Sequence, residues 1–204
     1  PKINTDKSIA ELSNIDIGGI SQWLQIRGTN KNNPIILFLH GGPGTAQIGF
    51  ARKYQNELEK HFVVVNWDQR GAGLSYSSKI DSKTMNINQF ISDTKEVVNY
   101  LLTHFKKEKL FLIGDSWGSL LGTKVVNKYP DLFHAYIGTG QVVNMKRNEQ
   151  LAYKYTLEEA KERNDEKAIQ KLEEIGLPPY DDLINSTIIR SKLTRKLGGT
   201  MYKD

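Results

Sequence analysis

Leu110-Phe111-Leu112-Ile113-Gly114-Asp115-Ser116-Trp117-Gly118 runs from a short apolar stretch into a G-x-S-x-G pentapeptide. Leu120, Leu121 and Val125 follow at helical spacing, and Pro130 closes the segment. The apolar run reads as a buried strand and the residues after it as an amphipathic helix. A strand-to-helix turn this sharp forces its central residue into strained backbone geometry, and small residues on either side let the neighbouring backbones pass. The strain lifts the Ser116 hydroxyl clear at the carboxyl end of the strand, with the next amide opening the helix. G-x-S-x-G is short enough to arise by chance, so the flanks decide, and here they predict a nucleophile elbow.

Two upstream segments have the same form. Pro34-Ile35-Ile36-Leu37-Phe38-Leu39 reads as a buried strand running into His40-Gly41-Gly42-Pro43-Gly44. Phe62-Val63-Val64-Val65-Asn66-Trp67 is another, running into Asp68-Gln69-Arg70-Gly71-Ala72-Gly73-Leu74-Ser75. Three buried strands that each end in a glycine-rich loop place the loops on one edge of a parallel sheet. Open α/β sheets bind ligands at that edge.

H-G-G-P-G, D-Q-R-G-x-G-x-S and G-x-S-W-G-S in this order resemble the α/β-hydrolase superfamily, most closely its proline iminopeptidase-like branch. The resemblance runs from about Ile15 to about Val143. It is specific for the fold and for a serine nucleophile, and less so for substrate, because esterases and amidases share these loops. Asp115 departs from the Gly or His expected before the nucleophile, which leaves the substrate pocket open.

Outside the loops, Ile15-Asp16-Ile17-Gly18-Gly19 and Gln22 to Gly28 alternate around a Gly-Gly turn as an antiparallel hairpin. Phe50 to Lys60 reads as a helix. Phe90, Thr94, Val97, Val98, Leu101, Leu102 and Phe105 mark an amphipathic one, and His134 to Gly140 reads as a further strand. Strands alternating with helices predict an α/β fold with a mostly parallel sheet, an N-terminal antiparallel hairpin and the start of a helical cap. Residues 1–143 form the expected core. Residues 144–204 are charged and helix-prone: Ala152, Leu157 and Ala160 mark one segment, Ala168, Leu172 and Ile175 another. Pro178-Pro179 interrupts, and Leu183 to Leu197 resumes. This region resembles the cap that such hydrolases fold over their site; the alternative is a helical tail packed on the sheet.

The composition fits one sizeable core: 204 residues, 38% hydrophobic and 25% charged. The charge of +5 is scattered. Its densest cluster, Lys106-Lys107-Glu108-Lys109, falls in a turn, so nucleic acid is not an expected partner. No cysteine is present, which excludes disulfides and thiolate chemistry, and four unpaired histidines argue against a metal. No stretch approaches the roughly 20 apolar residues of a bilayer span. No leader is visible, and the chain opens on Pro1. The cytoplasm is the expected compartment, with a removed N-terminal anchor or targeting segment left open.

A serine hydroxyl needs an adjacent base, usually His oriented by a carboxylate. Ser116 is the expected nucleophile, in preference to a plain helix N-cap. The developing oxyanion needs two preorganised N–H donors. Trp117 supplies one, since the residue after the nucleophile does so in this fold. By resemblance the other comes from Gly42, with Gly41 as the alternative. Gly41 and Trp117 are also candidate substrate contacts, and the Trp117 indole reads equally as pocket lining or packed core. His40 is not the expected base, because by resemblance that histidine supports its loop. Asp68 and Arg70 are read as loop supports that pair with each other or with backbone groups.

The acid and histidine should follow Ser116 in that order. The only later histidine, His134, begins a strand and so lies at the opposite edge, as does Asp131. The expectation is that these 204 residues are roughly the first two-thirds of an enzyme whose acid and base lie beyond Asp204. The resemblance implies a serine hydrolase acting through an acyl-enzyme without cofactor or metal, on a small peptide or ester. Removal of an N-terminal proline or other residue from short peptides is the leading activity. A carboxylesterase or amidase is the alternative in chemistry, and a catalytically inactive binding protein the alternative in class. Oligomeric state is left open.

Overall fold

The apolar runs form the centre of a six-stranded sheet in the computed structural model, which describes residues 3 and 6–199, without the side chains of residues 183 and 184. The strands are β1 (Ile9–Ile17), β2 (Ile20–Gly28), β3 (Ile35–Leu39), β4 (Val63–Asp68), β5 (Leu110–Asp115) and β6 (Phe133–Thr139), in the spatial order β1-β2-β4-β3-β5-β6. β3 runs parallel to both β4 and β5, and β5 parallel to β6; β2 pairs antiparallel with β1 and β4. This is the α/β-hydrolase architecture read from the sequence: a mixed, mostly parallel sheet with an antiparallel N-terminal hairpin. Because Trp23 of β2 stands opposite Asp68 of β4, the Gly18-Gly19 turn falls at the carboxyl edge of the parallel strands.

β4 is buried along its whole length, as a strand covered on both faces must be. Helix α2 (Ile87–Phe105) covers the sheet with Phe90, Val97, Val98, Leu101 and Leu102. Each fully buried side chain of that size contributes about 1.5–3 kcal/mol of transfer free energy. The Asn86 side chain accepts the Gln89 amide to cap its start, and left-handed Lys106 (φ 53°) ends it. Helix α3 (Trp117–Lys128) follows β5 directly and buries Gly118, Leu121 and Val125.

Two elements differ from the sequence reading. The helix expected from Phe50 to Lys60 is only one turn, α1 (Arg52–Gln55), followed by a separate 3-10 turn at Leu58–Lys60. Phe50 and Tyr54 are exposed, so no continuous apolar face holds a longer helix together. β1 begins at Ile9, well before the hairpin expected from Ile15. Its middle is largely solvated, so it carries little apolar alternation to read.

The chain divides into two compact units, Pro1–Val142 and Val143–Asp204. The second contains α4 (Met145–Glu162), α5 (Glu166–Ile175) and α6 (Leu183–Lys196), around a small core that includes Tyr153, Ala160, Ala168, Leu172 and Leu193. The Leu183 side chain that opens the last periodic segment, and residues 200–204 of the expected cap region, lie outside the described residues. No helix among the described residues is long and apolar enough to cross a membrane.

Candidate active site

Ser116 stands between β5 and α3 with φ 51° and ψ −113°, geometry an L-residue rarely adopts. Glycines on both sides make it feasible. A β-carbon on Gly114 would collide with the carbonyl of Gly118, and one on Gly118 with the carbonyl of Leu39 in β3. The turn is pinned on three sides. The Ser116 amide donates to the Thr139 carbonyl (2.9 Å) at the end of β6. The Ser119 hydroxyl donates to the Ser116 carbonyl (2.6 Å) and accepts the Val142 amide (2.9 Å). Ser116 itself is exposed. Its neighbour Trp117 is the first residue of α3, whose opening amides lack intrahelical acceptors.

The His40 loop lies against this turn. A β-carbon on Gly41 would sit 3.3 Å from Ser116 Cβ, a tight contact that shows how closely the two segments approach. Gly41 is buried, while Gly42 is exposed, with φ 116° and a cis peptide bond to Pro43. Among the described residues, neither the Gly42 nor the Trp117 amide makes a backbone hydrogen bond outside regular structure.

His40, only 1% exposed, is committed elsewhere. The Gln69 amide donates to its Nε2 (3.1 Å), which assigns the proton to Nδ1, donating to the Gly41 carbonyl (2.9 Å). Burial holds the imidazole below its ordinary pKa, against the raising pull of the Gly41 carbonyl and the Asp68 carboxylate. A neutral ring with both nitrogens engaged braces the loop. The Gln69 side chain links this loop to the elbow, since its amide donates to the His40 carbonyl and its oxygen accepts the Trp117 indole N–H (3.2 Å). The indole also packs edge-on to Phe90 at 5.5 Å, so it is half-buried on the margin of the core.

Arg70 and Asp68 do not pair with each other. Arg70 forks onto the Asp93 carboxylate of α2 (2.8 and 3.1 Å) and donates to the Gly18 carbonyl (2.8 Å). Asp93, fully buried, also accepts from Gln22 (2.9 Å) and Gln89 (2.7 Å), and Gln22 accepts the Trp67 indole N–H (2.9 Å). This network ties the hairpin turn, the β4 loop and α2 together. Asp68 instead accepts the Leu74 amide (2.9 Å) through Oδ2, which closes its own loop. The Asp93 partner was legible in principle. It falls between Phe90 and Val97 on the buried face of α2, where a carboxylate demands a cation.

The remaining histidines are at the other edge of the sheet. His61 ends the turn before β4, His104 stacks on Tyr100 in the last turn of α2, and His134 opens β6 against Phe111. Asp131 lies in the short turn leading into β6. Five to six residues of strand, at about 3.3 Å each, separate that edge from Ser116. Among the described residues no three His, Cys, Asp or Glu side chains converge as metal ligands would. A cleft of about 280 Å³ beside the Ser75 loop, lined in part by Ile20, Leu74, Tyr76 and Ile80, does not include Ser116.

Known proteins are similar to this chain in sequence and in fold. The probable aminopeptidase YbaC of Bacillus subtilis (strain 168) is 46% identical over 197 residues, which cover 97% of this chain and 62% of that protein. The proline iminopeptidase of Elizabethkingia meningoseptica is 26% identical over 174 residues, 82% of this chain and 55% of that one. A crystal structure of a proline iminopeptidase-related protein from Thermus thermophilus matches with a TM-score of 0.62 at 21% identity. It covers 92% of this chain and 56% of that one, and at such identity it bears on the fold alone. The chain thus spans less than two thirds of the length of these relatives. The family model for the alpha/beta hydrolase fold matches residues 34–175, a span that holds all three glycine-rich loops, and the chain belongs to that family.

Proposed function

We propose that this is a serine hydrolase that acts through an acyl-enzyme and releases an N-terminal residue, proline foremost, from short peptides. The observation that carries the reading is Ser116: a non-glycine residue held at φ 51°, between two glycines that admit no side chain, against the His40 loop. Strain of this kind costs about 1–3 kcal/mol and persists where the surrounding structure over-determines it. The relatives named aminopeptidase and proline iminopeptidase support the substrate class.

In the proposed reaction Ser116 Oγ attacks the carbonyl carbon of the first peptide bond while a base takes its proton. The amides of Trp117 and Gly42, or Gly41 in place of the latter, receive the oxyanion. Each such donor is worth about 2.7–4 kcal/mol in the transition state. The base returns its proton to the leaving amine, and water then cleaves the ester to Ser116. Since His40 is engaged on both nitrogens and the other histidines stand at the far edge, we assign the base to chain outside these 204 residues. The helical unit is the candidate for the cap that restricts substrate size.

The test uses the full-length protein. A fluorophosphonate should label Ser116, and Ser116→Ala should abolish labelling and lower turnover by several orders of magnitude. Labelling at another residue, or retained turnover, refutes the assignment. Turnover of short acyl esters without aminoacyl arylamides would instead make the protein an esterase on the same scaffold.

A further inference from the structure

We propose that Gln69 is a positioning residue for the oxyanion: it holds the two backbone donors of the proposed reaction at the spacing that one oxygen requires. The inference rests on Ser116 being the nucleophile and on the donors being the Trp117 amide and an amide of the His40 loop. These belong to separate stretches of chain. The pairing of β3 with β5 ends at Leu39 and Gly114, just short of both. Beyond it, among the described residues, no backbone hydrogen bond outside regular structure joins residues 41–44 to residues 116–118. Gln69, the residue after β4, spans the gap. Its backbone amide donates to His40 Nε2 (3.1 Å) and its side-chain Nε2 to the His40 carbonyl (3.1 Å), while its Oε1 accepts the Trp117 indole N–H (3.2 Å). Gln69 is buried, so a partner lost here is not replaced by water.

The chemistry of the two ends calls for an amide. A carbonyl accepts and cannot donate, and an indole N–H donates and cannot accept, so the group between them must donate at one end and accept at the other. A carboxylate offers acceptors alone, and a thioether of similar length offers no donor. The bonds reach the oxyanion donors through the peptide planes. A trans peptide is flat, and its N–H points away from its C=O. The grip on the His40 carbonyl therefore sets the direction of the Gly41 N–H. The Gly41 carbonyl, which accepts His40 Nδ1–H (2.9 Å) and the Thr45 amide (3.1 Å), sets that of the Gly42 N–H in the same way. At the other end, the indole bond and the Phe90 contact hold the side chain of the residue that carries the second donor. Both donors must lie about 2.7–3.1 Å from an oxygen whose full charge exists only in the transition state. A misplacement of about 1 Å can cost about 10²-fold in rate. Since the ground state does not carry that charge, the loss falls on kcat and not on KM.

The experiment uses the full-length protein with L-prolyl 4-nitroanilide and 4-nitrophenyl acetate, because the oxyanion forms on either substrate. Gln69→Met should lower kcat at least about tenfold on whichever of them is turned over, with KM within about twofold of wild type. It should weaken inhibition by pyrrolidine-2-boronic acid, whose boron becomes tetrahedral on Ser116, and leave inhibition by free L-proline as it was. Gln69→Glu keeps the shape without the donor and should lose kcat likewise. Trp117→Phe removes the indole N–H and keeps the backbone amide. It should lower kcat by itself, and adding it to Gln69→Met should cost little more, since the two residues share one bond. An unchanged kcat, a loss carried by KM, equal weakening of boronic acid and proline, or additive losses would mark Gln69 as packing alone and overturn the inference. Should Gln69→Met not fold, Trp117→Phe decides by the same split between kcat and KM. If wild-type Ser116 is labelled and kcat does not move in the variants, this inference alone fails. An unlabelled wild-type Ser116 removes the nucleophile and this inference with it.

Discussion

The two edges of the sheet are built from the same six strands and differ in how their connections are made. In the first unit, eight of the nine described residues with positive φ stand at the carboxyl edge: Gly18, Gly19, Gly42, Gly44, Gly71, Gly73, Ser116 and Gly140. The amino edge has Lys106, an ordinary left-handed helix cap. Both edges bury an ion pair, Arg70 with Asp93 at one and Arg27 with Glu59 at the other. The carboxyl-edge pair is enclosed by further side-chain amides, from Gln22 and Gln89. Strain thus concentrates where the glycine-rich loops meet, whereas the amino edge combines its buried pair with aromatic stacking and turns. Such a concentration marks where a fold gives up stability to hold side chains in one arrangement.

That contrast can be broken by substitution, and the largest stability effect is expected at Arg70. Arg70→Met leaves the Asp93 carboxylate buried without its cation, at a cost of about 3–5 kcal/mol. Urea denaturation of the full-length protein should show it, and Arg70→Met combined with Asp93→Leu should recover much of the loss. A loss under about 1 kcal/mol would mean that the network contributes little to holding the loops.

A smaller effect, dependent on pH, is expected at His40. Burial holds its folded-state pKa below the ordinary 6.5, so the unfolded chain binds the proton more readily. Its contribution is complete above about 6.5 and is lost as pH falls from there through the folded value, at no more than about 1.4 kcal/mol per pH unit. His40→Gln should flatten that part of the stability profile; an unaltered slope would contradict the buried neutral ring.

The smallest effect belongs to the other edge. His134 is exposed and only leans on Phe111, at 5.1 Å between ring centroids. His134→Gln should change stability by no more than about 0.5 kcal/mol, measured in the same way. A larger loss would erase the contrast between the edges.

The elbow is legible in the sequence because its demands are local. A turn from strand to helix needs small residues at fixed offsets, and Gly114 and Gly118 occupy them. The strands are legible for a similar reason, since Val63, Val64 and Val65 have no solvated face to interrupt them. The partner of Arg70 is legible only by its odd position, a carboxylate on the apolar face of α2, because pairing is a property of space and Asp93 lies on another element. Gln69 stands within its motif without a legible role, since a glutamine bridging a tryptophan and a backbone carbonyl leaves no spacing to detect. The short α1 reads as longer than it is because Phe50 and Tyr54 look like an apolar stripe and are in fact exposed.

Gly118 lies against the carbonyl of Leu39, a residue far away in the chain, so the turn around Ser116 is walled by a strand remote in sequence. A side chain at position 118 would meet β3, so the turn and the pairing of β3 with β5 are built as one unit. Loop-closure entropy must be met before a contact of such long range forms. The strained Ser116 geometry thus depends on long-range strand pairing as well as on its own glycines.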